Sequence, residues 1–371
     1  MSADSSRAAS GGRQLLARAR EGDELAFREL VEPHQAELSA HCYRMLGSVY
    51  DAEDALQDAL LRAWRGLARF DGRGSLRSWL YTIATNSCRD QLGHRQKRVL
   101  PMDFGPASDP QIGPGQPIVE TTWIEPFPDQ AFGLQDGYSA PEARYERRES
   151  VELAFVAALQ HLATNQRAVL LLREVLGFSA KETAEMLDTS VASVNSALQR
   201  ARAAVEERVP GPSQQATLRA MGDHKLRKLV DRYVEAWERC DVHAFAGMLT
   251  EEATFAMPPL ARWYSTREGI ATWASLSPLS GQWRWRTLLT RANGQPALGF
   301  YSWDEEAGAY VAFALNVLSF EGELISNVTA FVARSIEPED DEAYATWPSQ
   351  EADEKRLAGT FARFGLPERL T

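Results

Sequence analysis

Cysteine is scarce in this chain. Cys42, Cys88 and Cys240 are odd in number and widely separated, and no CxxC pair occurs, so neither a disulfide framework nor a cysteine-built zinc site is expected. No apolar run approaches the ~18 residues that mark a membrane-spanning helix. The opening stretch MSADSSRAASGG lacks the apolar core of a secretory signal. These absences point to the reducing cytoplasm. Positive charge is also short: 40 Lys plus Arg stand against 51 Asp plus Glu, a formal net charge of -11, which taken whole argues against a surface for a polyanion. Metal-ligand and nucleophile spacings are missing too. Asp241 and His243 are close in sequence but sit where a helix would start, so capping is expected of them rather than acid-base chemistry. No catalytic residue, metal or cofactor is expected. What is present is a globular composition, 44% hydrophobic and 25% charged over 371 residues, enough for several domains.

The charge is unevenly spread, and that changes what the net value excludes. Residues 65–98 carry eight basic groups (Arg65, Arg69, Arg73, Arg77, Arg89, Arg95, Lys97 and Arg98) against Asp71 and Asp90, a local excess of six. Residues 101–142 carry seven acidic groups and no Lys or Arg. A single basic stripe can hold phosphate in a strongly salt-dependent way.

In DAEDALQDALLRAW, residues 51–64, apolar side chains recur at Ala52, Ala55, Leu56, Ala59, Leu60, Ala63 and Trp64, the stripe of an amphipathic helix. Asp51 is the expected N-cap, and Glu53, Asp54 and Asp58 favour the positive end of the helix. FDGRGSLRSWLYTIATNSCRDQLGHRQKR follows at 70–98, a loop and then a helix that interleaves aromatics with arginines, which suits single-stranded DNA. Trp79 is expected in the core, leaving Asn86, Arg89, Asp90 and Arg95 as contact candidates. GFSAKETAEMLDTSVASVNSALQRAR, residues 177–202, reads as a helix-turn-helix. Ser179 and Glu182 form a capping box, Asp188 and Thr189 make the turn, and a second helix starts near Ser190. Val191, Val194 and Leu198 are expected inward and Ser193, Asn195, Ser196, Gln199 and Arg200 outward, with Asn, Gln and Arg suited to base edges in the major groove.

Residues 25–98 resemble region 2 of bacterial extracytoplasmic-function (ECF) sigma factors of the sigma-70 family. The resemblance implies that Asp54, Gln57, Asp58 and Arg62 face core RNA polymerase at its beta-prime clamp helices. It implies that Ser75, Arg77, Asn86, Arg89 and Arg95 meet the minus-ten element of promoter DNA. LAFVAALQHLATNQRAVLLLREVL with the helix-turn-helix is similar to sigma region 4, which reads the minus-thirty-five element and touches the polymerase flap. On that resemblance Ser190, Ser193, Asn195, Ser196, Gln199 and Arg200 carry the reading. The family usually has basic residues where this chain has Asn195 and Ala197, so phosphate anchoring should be weak. The free protein is expected to bind duplex DNA poorly, with polymerase supplying cationic surface and tethering two weak readers.

Between these modules, residues 101–142 hold eight Pro and five Gly, which excludes long regular elements and predicts an extended connection. TTWIEPFPD places Trp123, Pro126 and Phe127 among carboxylates. Two outcomes are open: a solvated spacer, or docking of Trp123 and Phe127 on a partner or on the third module. Similar Trp-Pro motifs occur in the linkers of sigma factors with a C-terminal extension, which implies a regulatory role.

Seven of the ten Trp residues fall within 222–371, a separate core. Leu226, Leu229, Val230, Tyr233, Val234 and Trp237 form one helical stripe. QWRWRTLL at 282–289 alternates as a strand, and AYVAFALNVLSF at 309–320 meets ELISNVTAFVAR across Glu321 and Gly322. The resulting α+β domain resembles the SnoaL-like division of the NTF2-like cones. Trp263, Tyr264, Trp273, Trp285 and Trp303 are assigned to core packing before a ligand pocket, and an unknown small-molecule ligand stays open. In the tail, Phe364 and Leu366 are available as a docking segment. The expectation is a multidomain chain: two all-α sigma domains (13–98 and 143–209), an acidic Pro-rich linker (99–142), and an α+β SnoaL-like domain with its tail (222–371). The last is expected to modulate the sigma regions or linker by intramolecular contact. The alternative is a SnoaL-like enzyme or ligand sensor fused to a DNA-binding regulator that does not join polymerase.

Overall fold

The computed structural model describes residues 14–70, 72, 74–93, 96–113, 115, 117–118, 122–132, 150–209, 211–333, 357 and 359–371. The chain forms two compact units, Met1–Arg95 with Leu159–Glu207 and Gln96–Ala158 with Arg208–Thr371. No described helix is long and apolar enough to cross a membrane.

The first unit is helical. α1 (14–20), α2 (Glu24–Leu46), α3 (Val49–Gly66) and α4 (Leu76–Leu92) come first. Asp23 caps α2 by accepting the Ala26 N–H at 3.0 Å, and Gly47, at φ 70°, ends it in the left-handed conformation that glycine adopts without steric cost. α3 starts three residues earlier than the sequence predicts. Ser48 is its cap, accepting the Asp51 N–H at 3.1 Å, and Asp51 is buried in the first turn. The buried stripe of α3 is Ala52, Ala55, Ala59 and Ala63, small side chains that allow close helix approach. Trp79, expected in the core, is half-buried and packs on Phe70 with ring centroids 4.9 Å apart.

α5 (Leu153–Gln160) leads into α6 (Thr164–Leu170), a π-helical turn at Leu171–Val175, α7 (Ala180–Met186) and α8 (Val191–Arg208). The Ser179–Glu182 capping box is formed, and Asp188 makes the turn at φ 50°. Val191, expected inward, is 42% exposed, so the inward stripe of α8 begins a turn later at Val194. Buried Arg167 ties this half to α2. Its guanidinium donates to the Met45 carbonyl, to Gln160 Oε1 at 2.7 Å and to the Gln160 carbonyl at 3.1 Å. Gln160 Nε2 donates in turn to the Arg44 carbonyl at 3.2 Å. A cation thus meets the negative C-terminal end of α2, and burial brings the guanidinium down to about 10.

The second unit is the α+β cone. α9 (Gln214–Met221), α10 (Asp223–Glu238), α11 (Val242–Ala246) and α12 (Arg267–Leu276) pack with a sheet of β1 (Leu249–Ala256), β2 (Trp263–Ser265), β3 (Trp285–Ala292), β4 (Gln295–Asp304), β5 (Ala309–Glu321), β6 (Leu324–Val332) and β7 (Arg369–Leu370). The strand order is β2-β1-β6-β5-β4-β3, with β7 on β5. β1 and β6 are parallel and the other pairs antiparallel. One sheet face and α10 enclose aromatic rings: Trp237 lies 4.9 Å from Phe300 and 5.8 Å from Trp285, and Tyr264 stacks on Trp273 at 4.8 Å. Tyr264, Trp273 and Trp285 are therefore core residues, as expected. Trp263 is half-buried and donates to the Gly105 carbonyl at 3.0 Å, and Trp303 is half-buried against Tyr310.

The other sheet face is covered by the chain itself. Leu100, Ile124 and Leu153 from before the cone, and Phe361, Phe364 and Leu366 from the tail, pack on Ala297, Tyr301, Ala312, Leu315 and Val317. β4 is consequently buried on both faces along most of its length, which removes the alternation by which a half-exposed strand is legible. The tail runs so close that a Cβ on Gly299 would lie 2.7 Å from Leu366 Cδ1. Phe364 and Leu366 are thus docked on their own sheet.

The described residues of the connecting segment up to 132 fold onto the cone rather than extending. Val99 bridges Trp123 in parallel, and Arg98 closes that loop on the Trp123 carbonyl at 2.5 Å and on Glu125 at 3.4 Å. The Ser108 N–H donates to the Trp263 carbonyl at 2.8 Å and that of Ile118 to the Pro259 carbonyl at 3.1 Å. Tyr264 donates to the Ile112 carbonyl at 2.8 Å. Of the two outcomes left open by the sequence, docking on the third module is the one observed. Trp123, Pro126 and Phe127 are all buried.

Candidate polymerase and nucleic-acid interfaces

On α3 the buried alanine stripe leaves an opposite face in which Asp54, Gln57, Leu61, Arg62 and Arg65 are exposed and Asp58 is half-exposed. These positions follow the i, i+3, i+4 rule, so they form one strip. Arg62 is shared between Asp58 at 2.9 Å and Asp90 of α4 at 2.7 Å, and the Asp90 hydrogen bond raises its pKa. Leu61, 55% exposed at the centre of this charged strip, is the residue that the sequence reading passed over. An apolar side chain ringed by polar ones is the usual composition of a protein interface.

The minus-ten candidates divide. Ser75 spends its hydroxyl on the N-cap of α4, accepting the Ser78 N–H at 3.0 Å. Asn86 and Arg89 are half-buried and paired to each other at 3.1 Å on one face of α4. Arg95 lies outside the described residues. Arg77 is turned inward. It pairs with Glu37 at 3.2 Å, donates to the Leu176 carbonyl at 3.4 Å, and lies 5.0 Å over each of the Tyr81 and Phe178 rings. Burial works to raise the Glu37 carboxyl, but His34 at 2.8 Å and Arg77 outweigh it and hold it below the ordinary carboxylate value. Glu37 and Phe178 were not singled out in the sequence. Phe178 follows the Gly177 turn, and a lone aromatic there carries no period that identifies its partner.

Under α4 sits His41, fully buried with Nε2 2.9 Å from Thr85 Oγ1. Burial, with Arg44 nearby, pushes its imidazole down to about 3, so it is neutral at physiological pH. Its role is structural.

On α8 the minus-thirty-five candidates share one face. Ser190, Ser193, Asn195, Ser196, Gln199 and Arg200 are all exposed, while Val194, Ala197, Leu198 and Ala201 are buried. The Ser190 hydroxyl accepts the Ser193 N–H at 3.1 Å and lies 2.9 Å from the Ser193 hydroxyl, which caps the helix and orders its first turn. The outward set mixes hydroxyls, two amide side chains and one guanidinium, groups that match base edges and phosphate oxygens.

In the cone, Asp241 accepts the Ala244 N–H at 2.9 Å and caps α11, the role expected from sequence. Among the described residues no group of three His, Cys, Asp or Glu side chains is placed to hold a metal ion.

Comparison with known proteins gives a consistent picture. The description "Sigma-70 region 2" matches residues 30–98 and "Sigma-70, region 4" matches residues 152–205. The ECF RNA polymerase sigma factor SigG of Mycobacterium tuberculosis (strain ATCC 25618 / H37Rv) is 40% identical over 323 residues, 86% of this chain and 84% of that one. The ECF RNA polymerase sigma-E factor of Escherichia coli (strain K12) is 30% identical over 195 residues, 53% of this chain and 92% of that one. Among solved structures, the extracytoplasmic function sigma factor SigJ of Mycobacterium tuberculosis superposes with a TM-score of 0.51 at 18% identity, covering 87% of this chain and 95% of that one. The last likeness concerns the fold.

Proposed function

This chain belongs to the ECF RNA polymerase sigma factors, and we propose that it joins core RNA polymerase, brings it to promoters carrying minus-ten and minus-thirty-five elements, and initiates transcription there. The observation that carries the reading is the placement of two exposed polar faces within one helical unit, the α3 strip and the α8 face, inside the two stretches that match sigma regions 2 and 4. Asp54, Gln57, Asp58 and Arg62, with Leu61 at their centre, are the proposed contact with the beta-prime clamp helices. Asn86 and Arg89 are the proposed minus-ten contacts, with Ser75 shaping the start of their helix. Arg77 joins them once it leaves Glu37 and Phe178. Ser190, Ser193, Asn195, Ser196, Gln199 and Arg200 are the proposed minus-thirty-five contacts, with the flap as the second partner of that module. The place of action is the cytoplasm.

The cone acts as a modulator built into the chain and not as an enzyme. Its docked Trp123, Pro126 and Phe127 make the linker part of the cone, so a change in the cone is felt in the chain that joins the two sigma modules. Titrating core polymerase with labelled full-length protein tests the polymerase contact. Wild type is expected to bind in the nanomolar range, and Leu61→Asp with Gln57→Ala is expected to weaken binding by at least ~10-fold, the loss of ~1.4 kcal/mol or more at an interface centre. Equal affinity of the two proteins would remove the α3 strip from the interface.

A further inference from the structure

Three separate chain segments converge on the β3–β4 turn. Asn293 and Gly294, at φ 55° and 72°, make the tight two-residue turn that Asn-Gly favours. The Asn293 N–H donates to the Phe127 carbonyl at 2.8 Å. Its side chain accepts the Phe127 N–H at 2.9 Å and donates to the Val151 carbonyl at 2.8 Å. The Gly294 N–H donates to Asp129 at 2.7 Å, and the Gly294 carbonyl accepts from Gln215 at 2.7 Å. Gln295 Oε1 accepts the Leu153 N–H at 2.9 Å. The two oxygens of Glu152 then accept the N–H groups of Gln214 at 2.9 Å and Gln215 at 2.8 Å, the former 62 positions along the chain.

Glu152, Gln215, Asn293 and Gln295 are each at most 4% exposed. A buried carboxylate is costly unless its oxygens are satisfied, and here both are spent on the first N–H groups of α9, at the positive end of that helix. The segment that contains the region-4 match therefore leaves the cone at 152–153 and returns to it at 214–215, at one buried polar knot. A module on a single tether swings through a large volume. One attached at both ends has its two chain ends held together at one point, and its effective concentration at a matching site rises.

We infer that Glu152, Gln215, Asn293 and Gln295 are positioning residues for reading of the minus-thirty-five element: they fix the base from which the region-4 helices are presented. This rests on the sigma reading above and assigns the cone a part in promoter-spacing discrimination. Two full-length variants probe it. Asn293→Gly keeps the left-handed backbone that glycine tolerates while removing the side-chain bonds to Phe127 and Val151. Glu152→Gln keeps the size but sets an amide NH2 against a backbone N–H.

The measurement is transcription in vitro with core polymerase on promoters whose spacer between the two elements is lengthened or shortened by one and two base pairs. Wild type is expected to peak at one spacer. Both variants are expected to bind core as wild type does and to lower the ratio of output at the optimum to output two base pairs away by ~5-fold or more, as the two chain ends at the knot come apart. A parallel loss at every spacer, the mark of a merely structural role, would overturn the inference, as would an unchanged ratio. Absence of transcription by wild type at every spacer would instead reject the sigma reading, and the inference with it.

Discussion

Phe127→Ala tests the docked linker at a fully buried aromatic side chain. Phe127 is 1% exposed, and its backbone exchanges two hydrogen bonds with Asn293, at 2.8 and 2.9 Å. Truncating a buried Phe to Ala costs ~3–5 kcal/mol. The cost falls on the docked state of the linker, because a released linker leaves this side chain in water in either protein. With ~1.4 kcal/mol per factor of ten, the opening equilibrium of the 122–128 segment rises by a factor between ~10² and ~4 × 10³. Hydrogen exchange on the full chain reads this at the amides of Ile124, Phe127 and Asn293, which donate to Val99, Asn293 and Phe127 respectively. Their protection is expected to fall by that factor or to vanish, while amides in the middle of α2 and α3 keep theirs. Trp123→Ala, at a residue 9% exposed, is expected to act in the same direction. Unchanged exchange at Phe127 and Asn293 in the Phe127 variant would refute the claim that apolar burial holds the linker down.

Three further outcomes follow from the buried polar groups and from charge. His41 is held neutral with a folded pKa of about 3 against ~6.5 unfolded, so its contribution is complete above pH 6.5 and is lost as pH falls toward 3. Between pH 7.5 and 5 that is ~2 kcal/mol of stability, and in urea titrations His41→Gln is expected to show a pH dependence flatter by this amount; equal slopes for the two proteins would reject it. Arg167→Met strands the Met45 and Gln160 carbonyls and is expected to cost ~2–4 kcal/mol, measured as a shift in urea midpoint, with a loss below ~0.5 kcal/mol counting against the buried tie. Without polymerase, the protein is expected to bind promoter duplex only weakly at physiological salt, more tightly as salt falls; tight sequence-specific binding by free protein in an electrophoretic shift assay would show that the α8 face anchors itself.

Where one period governed a segment, the sequence was a sufficient guide. The α8 face was legible because Val194 and Leu198 fix the inward direction and so expose Ser193, Asn195, Ser196, Gln199 and Arg200. α10 was legible for the same reason. β4 was not, because the linker and tail cover its outer face and its residues stop alternating. The start of α3 was misplaced because Ser48 and Asp51 are both good caps and only the backbone decides between them. The inward turn of Arg77 depends on Glu37 and Phe178, 40 positions before it and about a hundred after, and no local pattern links the three. The knot at Asn293 was hidden in the same way: Glu152 reads as an ordinary surface carboxylate until the chain returns to it at Gln214.

The central claim, that this chain directs core polymerase to specific promoters, is tested most directly by transcription in vitro from a pool of genomic fragments with sequencing of the RNA 5′ ends. Full-length protein with core polymerase is expected to give discrete starts, each preceded by two recurring sequence elements at a fixed spacing, and core alone to give none of them. Starts that are the same with and without the protein, given folded protein and active core, would contradict the account.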